Sequence, residues 1–373
     1  MKKLIMMLTI ALMIWSCDSK NPSSVDNGDI DSLEEPVTLA KRGKGSVKVM
    51  TWNVYVGTDV DIILGASDPQ QIPVLAAQAF QGLLATNFSE RADAIAKQVK
   101  KHKPDLIGLQ EVSLLRIQSP GDLIVGGTSP AETVLFDYQD ILMDALAELG
   151  LRYYVAGIVE NADVELPMLT GVDPQPTFDD IRLTDYDIVL ARRGVKVSDV
   201  KEVNYQTNLS IPGLGLVVTR GYVSLDARVH GKKFRFVNTH LETAGITDAF
   251  QQAQAAELFG SLANESKTVI LVGDLNTRPG DATYDLFGSQ GFEDLWLLNS
   301  RHDDPDGYTS SHSADLLSQD PLFQRIDYIM MNPHKNTRIK VKATVIGDKE
   351  ADKTVNGLWP SDHAGVVAEI KLK

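Results

Sequence analysis

Runs of apolar residues in this chain repeatedly stop at an acid, an amide or an imidazole. The instances are Trp52-Asn53, Leu109-Gln110-Glu111, Val237-Asn238-Thr239-His240-Leu241, Val272-Gly273-Asp274-Leu275-Asn276, Arg325-Ile326-Asp327-Tyr328 and Ser361-Asp362-His363. A single Asp or Asn at such a point is ordinarily a turn residue or a helix cap. In α/β architectures, however, ligands bind beyond strand ends, so the repetition points to polar side chains converging on one site. The donors are oxygens and a few imidazoles without thiolates, which favours Mg²⁺ or Mn²⁺, or Ca²⁺, over zinc.

The elements that must position these residues are readable in outline. Gly45–Val56 alternates as a strand running into a polar loop, and Pro69–Leu84 reads as a helical insert. Ala92, Ile95, Ala96 and Val99 fall at helical spacing, with Ser89 as N-cap and Pro104 as the stop. Leu106–Leu109 is a short strand. Further helices are expected over Tyr138–Leu149, Asp248–Ala263 and Ala282–Gly288. Strands are expected over Tyr153–Val159, Asp187–Arg192, Leu214–Val229, Lys233–Thr239, Thr268–Val272, Arg325–Met331, Arg338–Ile346 and Ala364–Lys371. Residues 116–136 and 160–186, rich in Gly, Pro and acids, read as long substrate-side loops. No internal repeat and no linker divides residues 45–373, so they form one mixed α/β domain.

In this order and spacing, TWN, LQE, THL, GDLN, RIDY and SDH resemble the motifs of the endonuclease/exonuclease/phosphatase superfamily. Its members include deoxyribonuclease I, the abasic-site endonucleases, neutral sphingomyelinases and inositol polyphosphate 5-phosphatases. The resemblance runs from Val47 to Ile370. It implies a four-layer α/β/β/α sandwich of two mixed β-sheets, deoxyribonuclease I-like, with the site at one end.

The activity the resemblance implies is metal-dependent phosphoester hydrolysis by activated water. Such chemistry needs a hard cation, a group orienting the water, and charge stabilisation on the phosphoryl oxygens. By resemblance, Glu111 is the principal metal ligand, Asp362 belongs to the metal side, and Asn53 contributes to metal or phosphate binding. Asp274 orients and deprotonates the water, and Asn276 binds a phosphoryl oxygen. His363 and Asp327 form the His–Asp pair, in which the carboxylate fixes the tautomer and raises the imidazole's basicity. His240 matches an acid or phosphate ligand of deoxyribonuclease I and the sphingomyelinases, and points away from the abasic-site branch. Arg220 fits either a place near the phosphate or a surface strand. His102, His230, His302, His312 and His334 read as surface residues.

The whole chain has 373 residues, a formal net charge of −14 and a single cysteine. Disulfides within the chain are therefore excluded, as is an all-cysteine zinc site. The charge argues against non-specific capture of nucleic acid or anionic membrane, and leaves nucleic acid possible only as a substrate. Residues 1–17 resemble a bacterial lipoprotein signal: two lysines, an apolar run too short to span a membrane, and Ile14-Trp15-Ser16 before Cys17. Cleavage there would make Cys17 the lipid attachment point, anchoring an exported protein to a bacterial membrane. Residues 18–44, polar and acidic at first, read as a flexible tether before the domain at 45–373.

Substrate is less constrained. Lys97–Lys103, the one dense basic cluster, ends a predicted helix, where it complements the dipole. No interleaved aromatic-and-basic platform for a single strand follows it. Residues 209–217, LSIPGLGLV, are a modest apolar loop for a sphingomyelinase-like enzyme, or a buried strand. Four readings stand: an extracellular nuclease, a phospholipid hydrolase, a hydrolase of small phosphoesters such as sugar phosphates, and a non-catalytic binding domain. No feature indicates a protein partner.

Overall fold

The computed structural model describes residues 45–211, 216–243, 248–299, 306–333 and 339–372. The expected signal, Cys17 and the tether lie outside the described residues, as do His302 and His334 and part of the 209–217 segment. The elements in chain order begin with β1 (Ser46–Asn53), α1 (Asp61–Leu64), α2 (Ile72–Ala85), α3 (Phe88–His102), β2 (Leu106–Gln110), β3 (Leu114–Gln118), β4 (Thr133–Asp137) and α4 (Tyr138–Glu148). The middle of the chain gives β5 (Tyr153–Gly171), β6 (Thr177–Arg192), β7 (Lys196–Asn204), β8 (Leu209–Ile211), β9 (Leu216–Val218), β10 (Gly221–Val229) and β11 (Lys232–His240). It closes with α5 (Asp248–Leu262), β12 (Val269–Asp274), α6 (Ala282–Ser289), β13 (Glu293–Asp294), β14 (Asp327–Asn332), β15 (Ile339–Ile346) and β16 (Gly365–Leu372).

These strands form two mixed sheets. The first has eight strands in the order β15-β16-β1-β2-β6-β3-β4, with β5 along the other side of β6. The second runs β13-β14-β12-β11-β10-β7. Alternation along the strands sorts side chains between layers. In β1, Val47 and Val49 enter the cluster between the sheets with Phe234, Phe236, Ile270 and Ile329. Met50 and Trp52 turn the other way and pack with Ile95 and Val99 of α3 and Leu142 of α4. On the far face, Val269 and Leu271 of β12 pack with Ala255 and Leu258 of α5 and Phe287 of α6. Three apolar layers thus separate four layers of structure, and the expected α/β/β/α sandwich is what the chain forms.

Two polar side chains join the sheets near the site. Gln110 Nε2 donates to Asn238 Oδ1 at 2.7 Å, and Asn238 Nδ2 donates to the carbonyls of Leu109 and Ile188 at 3.1 and 3.0 Å. Buried amides bonded this completely fix the register of one layer on the other. Gly108 makes room for them, since a Cβ there would lie 2.4 Å from Asn238 Oδ1.

Three expectations need correction. Residues 160–186 are not a loop: they are most of the β5–β6 hairpin, whose acids hid the strand pattern. Those acids have cross-strand partners, as when Arg182 Nε donates to Asp163 Oδ1 at 2.7 Å. Residues 116–136 hold the end of β3 and most of β4, and only 119–132 between them form the expected loop, with one 3-10 turn at Leu123–Val125. Helix α3 starts before Ser89, because Phe88 stacks on Tyr138 with ring centroids 3.6 Å apart and draws the first turn forward.

Candidate active site

One row of cross-strand partners builds much of the site. Across the second sheet, His240 is paired with Asp274, and Asp274 with Asp327. Gly221, beside Arg220, is paired with His240 on the other side. Asn53 and Gln110 end β1 and β2 as partners in the first sheet, and Glu111 follows at once. Parallel pairing of β1 with β2 and of β11 with β12 makes their ends coincide, which is why the strand-end residues meet.

Asn53 ties the two sheets' acids together. Its Nδ2 donates to Glu111 Oε1 at 2.7 Å and to Asp274 Oδ2 at 3.1 Å, while its Oδ1 accepts from the Tyr55 backbone N–H at 2.9 Å. Held this way, its amide aligns two carboxylates and keeps its own oxygen occupied. Glu111 Oε2 accepts from the Val56 N–H at 2.9 Å. Glu111, Asn276 and Tyr55 have φ values of 59°, 49° and 62°. Left-handed backbone at non-glycine residues is costly, and here it gathers at the site.

His363 Nδ1 lies 2.8 Å from Asp327 Oδ2, and its other nitrogen 3.5 Å from Ser310 Oγ. The backbone around it is pinned: Trp52 Nε1 donates to the His363 carbonyl at 2.9 Å, and Ser361 Oγ donates to the Asn53 carbonyl at 2.7 Å. Burial opposes a charge on His363, but Asp327, Asp362 and Asp274 outweigh it and hold the imidazole's pKa well above its usual value. His240 is the opposite case. Burial, then Arg220 and His363, push it well below the ordinary range.

The acids crowd one another. Burial and Asp327 push Asp274 up to about 7. Burial, helped by Glu111 and opposed by His363, raises Asp362 to about 6. Asp327 Oδ1 is buried with no hydrogen-bond partner. Ligand atoms of Asp274, Asp327 and His363 lie within 4.8 Å of one another, and so do those of Asp185, Asp187 and His240. Oxygen donors that raise each other's pKa in a buried cluster fit a hard divalent cation, which would offset their charge.

Asp185 and Asp187 are the pair that sequence reasoning missed. They stand two apart on β6, hence on one face, just before the apolar run Ile188–Ala191. Because β6 is antiparallel to β2, this part of it lies at the same end of the sheet as the exit of β2. An acid preceding an apolar run was the available signal. Arg91 was also missed. Fully buried in α3, it donates from Nη2 to the Tyr55 carbonyl at 3.0 Å and from Nη1 to the Pro360 carbonyl at 3.2 Å, joining the loops that carry Glu111's neighbour Val56 and Asp362. Arg220 is no surface residue, for its Nη1 sits 3.0 Å from His240 Nδ1. His312 is likewise buried, stacked on Trp359 with centroids 4.2 Å apart, which overturns its assignment to the surface.

Comparison with known proteins agrees with this architecture. The Endonuclease/Exonuclease/phosphatase family matches residues 50–363, and the chain belongs to that family. Among solved structures, an endonuclease/exonuclease/phosphatase from Bacteroides vulgatus is 18% identical, covering 88% of this chain and 100% of its own, with a TM-score of 0.55. A mannosyl-6-phosphatase from Bacteroides thetaiotaomicron is 18% identical over 87% of this chain and 99% of its own, with a TM-score of 0.53. A family protein from Leptotrichia buccalis is 20% identical over 88% and 99%, with a TM-score of 0.51. No curated protein sequence matches the chain.

Proposed function

We propose that the protein is a divalent-metal-dependent phosphoesterase that hydrolyses phosphodiester or phosphomonoester bonds by attack of an activated water. The observation that carries this reading is the convergence of Glu111, Asp274, Asp327, Asp362 and two differently charged histidines at one end of the sandwich. Glu111 and Asp362 would hold the cation, Mg²⁺ first and Mn²⁺ or Ca²⁺ as substitutes, with Asn53 aligning Glu111 and Asp274. When bound, such an ion polarises a phosphoryl oxygen and offsets developing charge.

The residues divide the remaining work by protonation state. Asp274 has a pKa of about 7, matched to accepting a proton near neutrality, and its Oδ1 is fixed by the Asn276 N–H at 2.9 Å. His363 stays cationic beside Asp327 and offers Nε2 to a phosphoryl oxygen. Asn276 and neutral His240 supply uncharged donors to the same group. His240 therefore acts as a phosphate ligand and not as a cationic acid.

Export and membrane anchoring through Cys17 complete the proposal, on the strength of the leader sequence alone. Palmitate labelling of the full chain that persists in Cys17→Ser would overturn the anchoring.

The activity is tested with bis(4-nitrophenyl) phosphate under Mg²⁺, Mn²⁺, Ca²⁺ or chelator. Asp274→Ala and His363→Ala should each abolish metal-dependent turnover in a folded protein, and full activity in both would show the site to be misassigned. Plasmid DNA, phospholipid vesicles and sugar phosphates then separate the substrate classes. Failure on all of them without metal binding would favour a non-catalytic domain.

A further inference from the structure

Two features flank the site without contributing any of its acids or histidines: helices α1 and α2, and the outer half of the β5–β6 hairpin. Between them and the β8–β9 pair lies a cavity of about 260 Å³. Its polar end is formed by Glu111, Asp185 and Arg220, and its walls by side chains such as Ala79 and Leu83 of α2 and Val164 and Leu183 of the hairpin. The helices are seated on the hairpin by an apolar contact in which Leu166 packs against Ile63, Ile72 and Ala79.

We infer that this cavity receives a hydrocarbon group of the substrate, so that the phosphoester cleaved is an ester of an apolar alcohol. The inference rests on the phosphoesterase reading. Continuity is the first argument: Glu111 lines both the cavity and the metal side of the site, so a group esterified to a phosphate held there has this space beside it.

Charge is the second. Arg220 is the one cation of the described lining, and it is already engaged with His240 at 3.0 Å and Glu242 at 3.5 Å. Asp61, Asp185 and Glu242 line the same space, so a second phosphate would meet carboxylates. A polyhydroxylated group would find partners only at the polar positions of the lining and would bury its remaining hydroxyls against alanine, valine and leucine, which give no hydrogen bonds in return.

Size is the third. An apolar cavity of about 150 Å³ already takes up benzene. At about 260 Å³ this one has room for a substituted ring or a chain of several carbons.

The test uses alkyl 4-nitrophenyl phosphates from methyl to octyl, with a 2-phenylethyl ester to separate aromatic from aliphatic occupants. kcat/KM should rise by roughly threefold per methylene until the cavity is full. Ala79→Phe fills the cavity and should remove that dependence while hydrolysing the methyl ester as wild type does. If Ala79→Phe does not fold, Val164→Thr keeps the shape and should lower the octyl-to-methyl ratio severalfold.

Binding is measured separately by calorimetry with octyl and methyl phosphate in the presence of Ca²⁺. Octyl phosphate should bind at least about tenfold more tightly to wild type. Equal affinities, or hydrolysis without chain-length dependence, overturn the cavity assignment and leave the phosphoesterase reading standing. Chain-length-dependent binding with no hydrolysis of any ester does the reverse.

Discussion

Arg220 lies against His240 and holds its ring neutral together with burial. Its Nη1 lies 3.0 Å from Nδ1, and Asn276 Nδ2 lies 3.1 Å from Nε2, so both ring nitrogens face donor groups. Nε2 also faces Asp274 Oδ2 at 3.5 Å. Burial opposes a second proton on the ring, and the arginine in contact with it adds to that opposition.

Arg220→Gln should accordingly raise the pKa of His240 toward the ordinary imidazole range of about 6.5. Turnover should fall by about tenfold, less than the 10²–10³ lost with a direct donor. The acid side of the pH–rate profile should move to higher pH, because His240 would begin to gain a second proton nearer neutrality. Titration of the His240 ring proton by NMR in the two proteins reads the shift directly, and an unchanged pKa would sink the idea.

Much of this site was legible because its residues share a sequence signature, an apolar run closed by a polar side chain, and because parallel pairing makes such closures coincide. Asp274, His240, Glu111 and Asn53 are of this kind. Asp327 fits for a different reason, standing at the start of β14, which runs antiparallel to β12 and is paired with it at Asp274. Asp185 and Asp187 escaped because they precede their apolar run and lie among acids that disguised the hairpin as loop. Arg220 was legible only as one of two alternatives, and Arg91 not at all. Their roles depend on which carbonyl or imidazole the tertiary fold brings within 3 Å or so, and nothing local encodes that.

The crowded acids make stability depend on pH and metal together. Asp274, Asp362 and Asp185 have folded pKa values raised to about 7, 6 and 6, burial being the main cause in each. A raised carboxyl favours the fold while protonated, so its contribution is complete below the unfolded value and is lost as pH rises through the folded one. Chelated protein should therefore lose Tm as pH climbs from 5 to 8. Saturating Mg²⁺ should restore roughly 5 °C at pH 8 and little at pH 5. Asp274→Asn should abolish turnover yet raise the Tm of chelated protein at pH 8. Calorimetry with and without Mg²⁺ checks both, and a Mg²⁺ effect independent of pH would count against the cluster.

Arg91 is a structural support outside the acids and histidines of the candidate site. Its guanidinium donates to the carbonyls of Thr86, Val54, Tyr55 and Pro360, with Phe88 beneath it at 4.8 Å. Arg91→Met keeps the volume but leaves those buried carbonyls unpaired, at a cost of about 3 kcal/mol or more. Urea denaturation measures the loss. A second effect should appear in folded protein: metal affinity falls, since the loops holding Val56 and Asp362 are no longer joined. A variant as stable and as metal-competent as wild type would show that the four bonds are incidental.

Gly273 supplies the closest approach in the site. Its φ is 150°, and a Cβ there would lie 1.8 Å from the Thr239 carbonyl oxygen on the neighbouring strand. Thr239 is its register partner, and the next pair along is His240 with Asp274. Gly273→Ala must therefore part β11 from β12 where His240 and Asp274, the proposed phosphate ligand and base, stand side by side. The expected cost is about 3 kcal/mol from overpacking and backbone strain together. Because small misplacements of reacting groups are expensive, kcat in the folded fraction should fall by about 10²-fold. Metal affinity should fall less than kcat, since Glu111 follows β2 in the other sheet and Asp362 precedes β16 there. Comparing kcat with Mg²⁺ affinity at a temperature where the variant is fully folded separates the two effects, and equal losses in both would mean that the damage is general unfolding and not displacement of the His240–Asp274 pair.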